Sequence, residues 1–119
     1  MDTVETLREA RKLIEKPENW IKGQSIEIRP EGNAYCLLGA LSWTSYANGN
    51  FMPDKTYRSA TSAVIDSVVA RNYGGASLFN DAPETTHEDV LSLIDETIDR
   101  LETERANHEL NHDEEIEAQ

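Results

Sequence analysis

Apolar residues never run together for long in this chain. No stretch approaches the ~18 consecutive apolar residues that cross a bilayer, so no membrane-spanning helix is expected. Cysteine is almost missing as well. The lone Cys36 can close neither an internal disulfide nor a cysteine zinc site, which is the usage of a reducing compartment. The opening residues Met1-Asp2-Thr3-Val4-Glu5 lack the basic and apolar segments of a secretory signal, and a cytoplasmic location is the expectation. There is no glycine-rich phosphate loop and no recognisable frame of paired catalytic carboxylates. Asp113-Glu114-Glu115 lacks the glycine turn of a calcium loop. No cofactor and no resident metal are therefore expected.

Positive charge is scarce after residue 80. Residues 1–80 hold nine acids and nine bases, whereas residues 81–119 hold fourteen acids against only Arg100 and Arg105. The whole net charge of -12 thus belongs to the final third. Such a field repels nucleic acid and anionic membranes and attracts basic surfaces, the more strongly at low salt. Neither nucleic acid nor a membrane is expected as a direct ligand.

What remains is one domain's worth of chain: 119 residues, 38% hydrophobic and 29% charged, enough for one core when the apolar positions fall on the right faces. Between Thr3 and Lys16, Val4, Leu7, Ala10, Leu13 and Ile14 recur at helical spacing, with Asp2 or Thr3 as cap and Pro17 as the stop. Glu18–Asn33 reads as a connector with one short extended piece at Ser25–Ile28. Ala34–Tyr46 is apolar on all sides and is predicted to be the central buried helix, with Gly39 marking a close helix crossing rather than a break. An Asn-, Gly- and Pro-rich turn over Ala47–Lys55 leads to an amphipathic helix over Thr56–Arg71, then to a loop over Asn72–Ser77. Thr85 or Thr86 caps the last helix, which turns Val90, Leu91, Leu93, Ile94, Ile98 and Leu101 inward. The expected fold is mainly α: a four-helix domain over residues 1–104 with a short extended segment, and an acidic tail over 105–119 that is either a helical extension or disordered.

Three short motifs carry a resemblance: Trp20-x-x-Gly23, Cys36-Leu-x-Gly-Ala-Leu41, and Phe79-Asn80-Asp81 followed by Thr86 and Val90-Leu91. On these the chain resembles a family of small bacterial and phage proteins catalogued as domain of unknown function 6197. The resemblance covers roughly residues 3–101 and implies that a phage origin is plausible. It assigns no activity.

Two patterns could carry chemistry. His108-Glu109-Leu110-Asn111-His112 satisfies H-E-x-x-H, the zinc-gripping pattern of metallopeptidases, but polar flanks and only seven following residues leave no built cleft around it. Cys36 with His87 and Asn80 or Asp81 could form a cysteine-hydrolase set, the thiolate being favoured near a helix start. The plainer expectations are that Cys36 packs in the core and that Asn80 and Asp81 form an Asx turn before Pro83. Trp20 and Trp43 are expected as core anchors.

Charge favours binding over catalysis. The expected function is a non-enzymatic acidic protein that offers Asp95, Glu96, Asp99, Glu102, Glu104 and Glu109 to a basic protein surface. The row would imitate nucleic-acid phosphates before a defence complex of the CRISPR or restriction kind. The alternative is a small hydrolase using Cys36 and His87. A charge run of this kind also serves simply to keep a small protein soluble. A homodimer through the Cys36–Tyr46 helix or the Tyr57–Val68 face is compatible with the pattern.

Overall fold

The computed structural model describes residues 2–47 and 55–118, with side chains through residue 109. Five helices and one two-stranded antiparallel sheet make up the described chain. The expected Asn/Gly/Pro turn lies almost wholly outside the described residues.

Helix α1 (Thr3–Leu13) starts where the Asp2 carboxylate accepts from the Glu5 N–H at 2.8 Å, supplying one of the orphan first-turn bonds. It packs against three other helices, with Leu7, Ala10 and the following Ile14 wholly buried. A 3-10 turn over Pro17–Asn19 then leads to β1 (Ile26–Glu27), paired with β2 (Ala34–Tyr35). Helix α2 (Leu37–Ala47) follows immediately. Its start is a correction to the predicted Ala34–Tyr46 helix. Ala34 and Tyr35 are drawn into the sheet, and the Cys36 N–H bonds the Ser25 carbonyl at 2.9 Å. The thiol of Cys36 accepts from the Gly39 N–H at 3.3 Å and so acts as a side-chain cap on α2.

Helix α3 (Lys55–Ala70) buries Ala60, Ala63, Val64, Ser67 and Val68, so the face suggested for dimerisation is core. It ends on Asn72, whose φ of +68° is the left-handed conformation of a helix C-cap. The segment read as loop and Asx turn is instead a short helix, α4 (Ala76–Asp81), with Phe79 and Asn80 buried. Helix α5 (His87–Ala118) opens with a reciprocal cap: Thr86 Oγ1 accepts from the Asp89 N–H, and Asp89 returns a bond from the Thr86 N–H at 2.9 Å.

The core joins all of these. Leu7, Ile14, Leu37, Leu41, Val64, Val68, Phe79, Val90, Leu93 and Ile94 are at most 2% exposed. Trp20, Trp43 and Leu101 pack against this cluster from its edge. Leu101 is the last core residue of α5, and residues 102–109 are all exposed. The helix therefore continues past the bundle, and the molecule extends to 60 × 33 × 22 Å. No helix among the described residues is long and apolar enough to cross a membrane.

Candidate acidic interface

Asn80 organises the three sequence motifs into one unit. Its Oδ1 accepts from Trp20 Nε1 at 2.7 Å and from the Leu37 N–H at 3.0 Å, while its Nδ2 donates to the Ile21 carbonyl at 3.0 Å and to Asp81 at 2.9 Å. Asp81 in turn accepts from the N–H of Gly23, whose φ of +83° suits glycine. Trp20-x-x-Gly23, the start of α2 and Asn80-Asp81 are thus a single hydrogen-bonded staple. These bonds use both donors and both acceptor sites of the amide.

Cys36, His87 and Asn80 are each engaged in bonds that hold the fold. Cys36 is 8% exposed and its sulfur caps α2. His87 Nε2 donates to the Ile14 carbonyl at 2.6 Å, and its ring leans on Trp20 at 6.0 Å between centroids. Asn80 is wholly engaged elsewhere. Of the H-E-x-x-H pair, His108 lies on the exposed part of α5 and the His112 side chain lies outside the described residues. Among the described residues no group of three His, Cys, Asp or Glu is placed to hold a metal.

The acidic row on α5 divides into two parts. Beside the bundle it is matched by arginines from neighbouring helices. Asp95 accepts from Arg11 of α1 at 2.8 Å, Glu96 from Arg71 just past the end of α3 at 2.7 Å, and Glu102 pairs with Arg8 of α1. Arg100 bonds Ser67 Oγ and the Ala63 carbonyl, each at 2.7 Å, and lies 3.9 Å from Glu104. Asp99 shares a shallow depression with Arg8, Arg11 and Asp95. Glu109 lines another with Asp2, Glu5, Arg8, Glu102 and Arg105. Sequence reasoning identified the acids but missed these arginines.

Past the core the balance changes. Residues 102–119 contain seven acids and one base, a net of -6 and hence half the charge of the chain. The described helix from 102 to 118 is about 25 Å long at 1.5 Å per residue. All seven of those acids fall within that length. Acids at a helix C-terminus oppose the macrodipole and repel one another at i,i+4, so this segment gains from an external cation.

Three carboxylates near the loops titrate low. The Asn80 amide, then the Gly23 N–H, hold Asp81 below its ordinary value. The Tyr73 hydroxyl does the same for Glu84 and is itself pushed up by that carboxylate, and the Thr86 N–H lowers Asp89. Carboxylates with depressed folded-state values stabilise the fold above their unfolded values of roughly 4, and that contribution is lost as pH falls through the lower folded ones. Urea midpoints are thus expected to fall from pH 5 towards pH 3. Asp81→Asn should reduce the dependence, and an unchanged midpoint across this window would contradict the bonding described.

By architecture this is a small, mainly helical protein with a two-stranded sheet. The chain belongs to the family of unknown function DUF6197, whose model matches residues 1–100. No curated protein and no solved structure matches it.

Proposed function

We propose that the protein is a non-catalytic binding module that presents the acidic face and extension of α5 to a basic protein surface. The carrying observation is the split of charge along one continuous helix. The core grips α5 as far as Leu101, and half of the net charge belongs to the residues beyond it on the same helix. The receptor would be a nucleic-acid-handling protein whose cationic groove normally takes the polyanion. For a phage-borne chain, a host defence complex of the CRISPR or restriction kind fits that description.

Glu104 and Glu109 lead the contact, with Asp99 behind them. Asp95, Glu96 and Glu102 contribute after exchanging their arginines. That exchange is cheap, because exposed ion pairs are worth about 0–1 kcal/mol, and these carboxylate side chains are 52%, 60% and 45% exposed. The test is capture from host extract at low and high salt, with competition by a DNA or RNA oligonucleotide. A basic nucleic-acid-handling protein should be retained at low salt and displaced by the oligonucleotide. Retention insensitive to both would count against mimicry.

A further inference from the structure

The outward stripe of α3 carries a charge pair that the rest of the chain does not use. Of the seven arginines, Arg8, Arg11, Arg29, Arg71, Arg100 and Arg105 all sit in ion pairs. Among the described residues Arg58 has no carboxylate partner, and Asp66, about two turns further along α3, has no cationic one. Arg58, Ser59, Ser62 and Asp66 line one wall of an open groove of about 530 Å³, with Arg100 and Glu104 on the α5 side. Next to them Ile65 and Val69 are 40% and 57% exposed.

The order of these residues is self-complementary. Arg58 and Asp66 stand four positions either side of Ser62, and the residues between them that line the groove, Ser59, Ser62 and Ala63, are small. A two-fold axis at Ser62, with a second α3 lying antiparallel, brings Arg58 of each copy to Asp66 of the other at both ends of the contact. In that register Ile65 lies against Ser59 of the other copy and Val69 against the methylene stem of its Lys55, which takes part of their exposed surface from water. We infer that this face is an isologous dimer surface, its occupant a second copy of the chain.

The distribution of charge permits it. The bonds from Thr97 to Ser67 and from Arg100 to Ala63 show that α5 runs antiparallel to α3. The acidic extension therefore leaves the bundle at the Lys55 end of α3. With the two α3 helices antiparallel, the two extensions point to opposite ends of the dimer. They stand well beyond the roughly 8 Å over which exposed charges act at physiological salt.

Sedimentation equilibrium of the full chain, from micromolar to millimolar concentration, tests this. The wild type should show a monomer-dimer equilibrium that weakens as salt rises. R58D and D66R should each weaken it by at least about tenfold, and the R58D/D66R double variant should recover most of the loss. Unchanged circular dichroism melting of the variants would confirm that only association is affected. A monomer at every concentration, single variants that associate like the wild type, or a double variant as weak as the singles would each overturn the proposal. Amide substitution of Asp95, Glu96 and Asp99, none of which lines this groove, should leave the equilibrium in place, which separates the dimer from the proposed binding role.

Discussion

Asn80→Ala is expected to lower the stability of the fold by about 3–5 kcal/mol, seen as a fall in melting temperature of roughly 10–20 °C. The side chain is 1% exposed, and its removal deprives Trp20 Nε1, the Leu37 N–H and the Ile21 carbonyl of their partner at once. Each such orphan costs about 1–3 kcal/mol when water cannot reach it, against a total stability of roughly 5–15 kcal/mol for a domain. Asn80→Asp separates the contributions. It keeps the acceptor for Trp20 and Leu37 but removes both donors and sets a second carboxylate beside Asp81. Its defect should therefore be larger at pH 7 than at pH 4. Denaturation curves of both variants at the two pH values provide the check, and a loss below about 1 kcal/mol for the alanine variant would remove Asn80 from the centre of the fold.

Gly39→Ala should also destabilise, by about 2–3 kcal/mol, although helix propensity alone predicts a gain of roughly 1 kcal/mol in the middle of a helix. A Cβ at this position would stand 2.0 Å from the Ser25 carbonyl oxygen and 2.8 Å from its carbon. These are backbone atoms, and the same oxygen accepts from the Cys36 N–H. Relief would require moving the strand connection away from the first turn of α2. Chemical denaturation distinguishes the two effects by sign, and a stabilised alanine variant would refute the close approach.

The amphipathic helices were legible because their stripes repeat at helical spacing. Val4, Leu7, Ala10 and Ile14 on α1, and Val90, Leu93, Ile94 and Ile98 on α5, are buried as the pattern predicts. Gly39 was expected at a close helix crossing, whereas its close neighbour is the Ser25 backbone in the strand connection. Ala34 and Tyr35 were misassigned because a buried two-residue strand and the start of a buried helix look alike in an apolar run. Asn80 was misread for a similar reason. Asn before Asp and Pro suggests a local turn, whereas its actual bonds reach Trp20 and Ile21, some sixty residues earlier in the chain. The acids of α5 were plain in the composition. Their arginine partners on α1 and just past the end of α3 were not, since pairing across helices depends on packing angles that periodicity does not encode.

This has a consequence for function. Trp20, Gly23, Asn80 and Asp81 staple the fold, and the region matched by the family model ends at residue 100, just before the acidic extension begins. The exposed residues beyond Leu101 make no core contact, so that part of α5 can change without cost to the core.

The most direct measurement is the affinity of the captured basic receptor for a variant in which Asp95, Glu96, Asp99, Glu102, Glu104 and Glu109 become their amides. Affinity should fall by at least about tenfold at low salt, and the dependence on salt should flatten as the charges are removed. Equal affinity and an equal salt slope for the two proteins would contradict the idea that α5 binds by its charge.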